Sequence, residues 1–100
     1  MIENMKIKDY QKLAVNVGEK LESNVRVTDE LLKNIKELRT WSEYFTYGTS
    51  TDRAGGPHPN TLEDAGKTIK KIAARRFFGK YIESYAAEIH MALESIMKVA

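Results

Sequence analysis

Nearly every residue that can interrupt regular structure in this chain falls in one stretch. Four of the six glycines and both prolines lie between positions 48 and 66, most of them in Gly48-Thr-Ser-Thr-Asp-Arg-Ala-Gly-Gly-Pro-His-Pro-Asn60. Such a cluster is a loop signal, and it divides the chain into two blocks whose apolar residues recur at helical spacing. At 100 residues the chain has room for one small domain. The expected fold class is therefore all-α, with helices at about 9–22, 28–47 and 61–98 and a loop at 48–60.

In the first block Tyr10, Leu13, Ala14, Val17 and Leu21 recur every three or four residues. They define one face of a helix that Asp9 is expected to cap, with Gly18 weakening it and Ser23-Asn24 ending it. Val25-Arg26-Val27 alternates β-branched residues with a charge and reads as a short extended connector. Thr28 is expected to cap the next helix, with Asp29 and Glu30 in its first turn complementing the helix dipole. Leu31, Ile35, Leu38, Ser42 and Phe45 then form a stripe, and Gly48 is the expected stop after Tyr47.

In the second block, Thr61 and Asp64 imitate a capping box. Leu62, Ala65, Ile69 and Ile72 make one stripe, and Phe78, Ile82, Tyr85, Ile89, Leu93 and Ile96 make another. Ile72 and Phe78 are out of phase and Gly79 sits beside the slip, which predicts a kink or a boundary near 75–79. A short N-terminal helix packed on a long antiparallel helical hairpin is the expected arrangement. An unbroken second arm would reach about 60 Å, longer than a globule of this size is wide. That length, and two stripes with too little to cover them, predict an oligomer.

Composition narrows the function. The chain is 42% hydrophobic, which suits a folded domain, and has no Cys, which removes disulfides, thiolate catalysis and zinc ribbons. No apolar run reaches the roughly 20 residues of a membrane span, so no membrane role and a cytoplasmic location are expected. Walker, dinucleotide and His-Glu-x-x-His motifs are absent, and Ser and Thr stand beside no evident base. The expectation is a non-enzyme with no catalytic residues and no cofactor. His58, between the prolines, and His90, one turn before Glu94, lack a third ligand at metal spacing, so no metal is expected.

The formal net charge is +2, yet Lys67, Lys70, Lys71, Arg75, Arg76 and Lys80 stand together with no acid between Ala65 and Ile82. The rest of the chain therefore carries −4. Lys67, Lys70, Lys71 and Arg75 fall within about 140° around a helix axis, a strip that can hold phosphates or simply be a solvated face. Trp41, Tyr44, Phe45 and Tyr47 crowd the end of the second helix. Phe45 belongs to the stripe, and the other three cannot all face the same way, so at least one is exposed or lies in an interface.

A helix carrying Tyr10, a connector ending Arg26-Val27-Thr28 and a return arm that is basic from Lys67 resemble the phage anti-CBASS cyclic-nucleotide sponges, a family of small helical proteins. The resemblance implies a homo-oligomer, with a hexamer as one candidate, that sequesters cyclic di- and trinucleotide immune signals between protomers without cleaving them. In a phage-encoded protein the location would be the host cytoplasm. The resemblance assigns base stacking to Tyr10, phosphate contact to Arg26, a hydroxyl contact to Thr28 and a second site to Lys67. Relative to the family, Arg and Lys are exchanged at 26 and 67, which matters for bidentate phosphate contact. With Lys71 and Arg75 of the basic strip, these residues are the candidate ligand-binding set.

Two other readings compete. The runner-up is a small helical interaction module or regulator that docks on a host protein through Trp41–Tyr47. General nucleic-acid binding along the strip ranks below both, because the net charge is small and no helix-turn-helix signal occurs.

Overall fold

In a computed structural model, described at residues 6–23, 26–46 and 59–99, four helices follow one another: α1 (Ile7–Glu22), α2 (Asp29–Phe45), α3 (Leu62–Ala73) and α4 (Ile82–Val99). Among the described residues there is no strand. The start of α1 differs from expectation. It begins at Ile7 behind Lys6, whose side chain makes no cap, and Asp9 falls inside the first turn, where its charge still complements the dipole. Thr28 and Thr61 do cap their helices: each hydroxyl accepts from the backbone N–H three residues on, Leu31 and Asp64, at 3.1 Å. Tyr47, Gly48 and the rest of the loop through His58 lie outside the described residues, as do Asn24 and Val25, and Thr46 follows the last residue of α2.

The second block is two helices. Residues 74–81 form a succession of turns, held by Arg75 N–H to Ile72 O, Phe78 N–H to Arg75 O and Tyr81 N–H to Phe77 O at 3.1–3.2 Å. The cause is the phase slip. A continuous helix would swing Phe78 and Ile82 away from the face that buries Ile69 and Ile72, whereas the break returns all four to one core.

Packing follows from the apolar faces. α1 lies most closely on α3, α2 lies on α4, and α3–α4 and α1–α2 complete a ring of four helices. Ring neighbours run in opposite directions. Gln11 and Gly18 of α1 meet Ala73 and Gly66 of α3, and Arg39 and Glu43 of α2 meet Glu94 and His90 of α4. The expected apolar stripes all line the shared core, with Leu13, Leu62 and Tyr85 half-buried at its margin. The break leaves no 60 Å arm, and the Cα atoms span 32 × 29 × 24 Å. The stripes expected to need a second subunit are covered by helices of the same chain.

The core is chemically polarised along the bundle. Where α1 begins, α2 ends and α4 begins, aromatic rings make a continuous series of contacts. Phe77 meets Tyr81, Tyr81 meets Tyr85, Tyr85 stacks on Phe78, Phe78 on Tyr10, and Tyr10 meets Phe45, all with centroids 4.9–6.5 Å apart. Phe45 continues to Tyr44 and Tyr44 to Trp41. Val17, Leu21, Leu31, Ile69, Leu93 and Ile96 fill the remainder with aliphatic side chains. Offset and edge-to-face ring pairs add about 0.5–1.5 kcal/mol each beyond their buried area.

Candidate functional site

Tyr10 is where the structure departs most from the sequence reading. Its ring is fully buried between Phe45 and Phe78, and its hydroxyl shares a 2.6 Å hydrogen bond with the equally buried Ser42. Burial drives the phenol well above its ordinary pKa, and the Ser42 hydrogen bond offsets this only in part. A ring enclosed in this way has no face to offer a base, so Tyr10 belongs to the core.

The remaining candidates do not converge. Arg26 is exposed in the connector beyond the C-terminal end of α1, and Thr28 uses its hydroxyl on Leu31. Lys67 lies near the start of α3, toward the same end of the bundle. Arg75 is at the opposite end, beside the turn in which a Cβ on Gly79 would lie 3.8 Å from Ile7 Cγ2, at the first residue of α1. The 16 residues of α1 between these ends are about 24 Å long.

Carboxylates from outside the segment pair with three of its six cations. Lys70 reaches across to Glu22 of α1 at 2.6 Å, which raises its pKa through the hydrogen bond and the charge of Glu22. Lys67 pairs with Glu63 at 3.3 Å, one turn earlier on α3. Arg75 donates to Glu88 of α4 at 2.9 Å while its guanidinium lies 4.8 Å from the centre of the Tyr85 ring, so it joins α4 to the end of α3. Lys71, Arg76 and Lys80 make no ion pair with a described residue. The segment free of acids in sequence is thus only partly free of them in space.

The turn between α3 and α4 adds what the strip reading missed. Phe77 is 54% exposed and Tyr81 47%, an uncommon state for two adjacent large rings. They meet edge to face at 6.5 Å. The Arg76 guanidinium lies 5.5 Å from the centre of Phe77, and the Lys80 ammonium lies 6.0 Å from Phe77 and 5.5 Å from Tyr81. The signal was present in Arg76-Phe77-Phe78-Gly79-Lys80-Tyr81. Phe78 takes the core position, so Phe77 beside it must point elsewhere, as must Tyr81 beside the buried Ile82.

Other features offer less. Trp41 is half-buried and Tyr44 exposed, and Tyr47 lies outside the described residues, as does His58. His90 is buried with neither ring nitrogen hydrogen-bonded. Its Nε2 stands 3.8 Å from Glu94, which also accepts from Arg39, and 4.0 Å from Glu43. Among the described residues no three His, Cys, Asp or Glu side chains gather as metal ligands. An open depression of about 360 Å³ is lined by Lys8, Gln11, Lys12, Val15, Asn16 and Glu19, all on α1. Among the described residues no helix is long and apolar enough to cross a membrane.

The chemistry on offer is thus two exposed rings with Arg76 and Lys80 beside them, two cations that make no ion pair with a described residue. No protein-family model, curated protein or solved structure matches this chain.

Proposed function

We propose that this chain binds, without transforming, a ligand carrying several phosphates, and that cyclic di- and trinucleotides are the first class to test. The observation that carries the reading is that Lys71, Arg76 and Lys80 make no ion pair with a described residue, in a stretch where Lys67, Lys70 and Arg75 each do. Unpaired cations require no internal ion pair to be broken before a phosphate is met, and charge-assisted contacts to phosphate are among the stronger polar interactions. The site therefore shifts from Tyr10, Arg26 and Thr28 to the α3–α4 turn. Sequestration by a homo-oligomer is the form of this function that the family resemblance suggests.

Isothermal titration with cyclic di-AMP, cyclic di-GMP and cyclic tri-AMP tests it. Binding is expected, with a tenfold or greater loss in Arg76→Ala/Lys80→Ala and steep weakening as salt rises. Native mass spectrometry of the complex gives the number of protomers per ligand, which the sponge reading expects to exceed one. No binding across this panel and inorganic tripolyphosphate overturns the proposal.

A further inference from the structure

Phe77 and Tyr81 expose large apolar surface where they stand, and the core meets them at its margin, through Tyr81 against Tyr85. Phe78 and Ile82, next to them, already supply the buried side chains of the turn. The two exposed rings meet edge to face at 6.5 Å with their planes 82° apart, which makes a corner, since a slot would need parallel planes. In such a corner one flat ligand lies on one ring while the other ring stands at its rim. The Tyr81 hydroxyl makes no hydrogen bond with a described residue and is available to the edge of that ligand. Arg76 and Lys80 lie over these rings, 5.5–6.0 Å from their centres, so a base that takes a ring face displaces the long side chain above it, and that cation stays within reach of the ligand's phosphates.

Resting on the phosphate-binding reading above, we infer that the Phe77–Tyr81 corner is a nucleobase platform, so that the ligand is a nucleotide rather than a bare polyphosphate, with purine preferred over pyrimidine. The preference follows from area: a purine covers more of a ring than a pyrimidine does, and base-on-ring stacking tolerates sequence but scales with overlap. Stacking without a dedicated hydrogen-bond pocket yields selectivity for class and leaves the individual purines weakly distinguished.

The test compares ATP, CTP and inorganic tripolyphosphate, which share a triphosphate and differ in the base, at matched ionic strength with wild type, Phe77→Ala, Tyr81→Ala and Phe77→Trp. In wild type ATP is expected to bind about fivefold to a hundredfold more tightly than tripolyphosphate, with CTP between. Phe77→Ala and Tyr81→Ala remove that advantage and leave tripolyphosphate binding unchanged, and Phe77→Trp retains it. Equal binding of ATP and tripolyphosphate, or a base preference that survives both alanine variants, overturns the platform while leaving phosphate binding in place. If ATP, CTP and tripolyphosphate all fail to bind, the platform is overturned, and the reading beneath it falls with it only when the cyclic nucleotides also fail. Circular dichroism is expected to show all variants folded, with Tyr81→Ala, which loses the contact with Tyr85, melting slightly below wild type.

Discussion

Gly18 of α1 and Gly66 of α3 cross so closely that a Cβ on Gly66 would lie 2.5 Å from the Gly18 carbonyl oxygen and closer still to the Glu22 amide nitrogen. A Cβ on Gly18 would meet the Gly66 carbonyl at 3.0 Å and Lys70 at 3.1 Å. Gly66→Ala therefore drives a methyl group into backbone and is expected to destabilise the chain by about 3 kcal/mol or more, measured by urea unfolding. Gly18→Ala gains up to about 1 kcal/mol in helix propensity and loses a similar amount to the tighter contact, for a net change near zero. Equal effects at the two sites would contradict this crossing.

The pair Tyr10 and Ser42 predicts both a mutational and a pH effect. Tyr10→Phe leaves the buried Ser42 hydroxyl without its partner and is expected to cost about 1–2 kcal/mol; adding Ser42→Ala recovers part of that loss. Because burial raises the folded phenol above its unfolded value, the protonated form belongs to the folded state. The associated stability is complete below about pH 10 and falls as pH rises beyond it. Lys70, also raised, acts in the same direction. Chemical unfolding between pH 8 and 11 should show the decline, and Tyr10→Phe should flatten it.

Thr28 acts on its own helix. Thr28→Ala is expected to cost about 1 kcal/mol in urea unfolding, with Thr28→Ser and Thr28→Asp close to wild type. A ligand-contacting hydroxyl would show a loss of nucleotide affinity with stability intact.

Arg75 separates structural cations from ligand-binding ones. Removing its contacts to Glu88 and Tyr85 in Arg75→Ala is expected to cost about 1 kcal/mol, since the pair is partly exposed. Phosphate affinity should change by less than twofold, in contrast to Arg76→Ala/Lys80→Ala, for which stability should hold and affinity fall.

Gly79 tests the origin of the break. A Cβ there meets only Ile7 Cγ2, at an ordinary 3.8 Å, so Gly79→Ala is expected to change stability by no more than about 0.5 kcal/mol and to leave two helices in place, as backbone chemical shifts would show. The break is set by the burial of Phe78 and Ile82, and the glycine is incidental to it.

The legible part of this chain was its local chemistry. Thr28 and Thr61 were readable as caps because a hydroxyl three residues before an N–H can satisfy it within a single turn of chain. The stripes were readable because their period alone fixes which face is buried. Asp9 misled, because a cap can be given up when packing draws a helix start back to Ile7. The candidate site was harder for a reason of dimension: charges scanned along a chain show neighbours in one helix, whereas Glu22 and Glu88 reach the basic strip from α1 and α4. Tyr10 failed similarly. Its place in the apolar stripe allowed burial, and only the position of Phe45 and Phe78 shows that it is enclosed on both sides.

The uneven distribution of rings has a practical result for anyone who follows this chain spectroscopically. Tryptophan emission and near-ultraviolet dichroism originate from Trp41, Tyr10 and their ring neighbours, gathered where α2 ends and α4 begins. Loosening of the aliphatic pole, around Leu21, Leu31 and Ile96, is silent to such light-based probes and registers instead as faster amide exchange. A melting curve recorded through the rings alone therefore reports on one pole of the bundle.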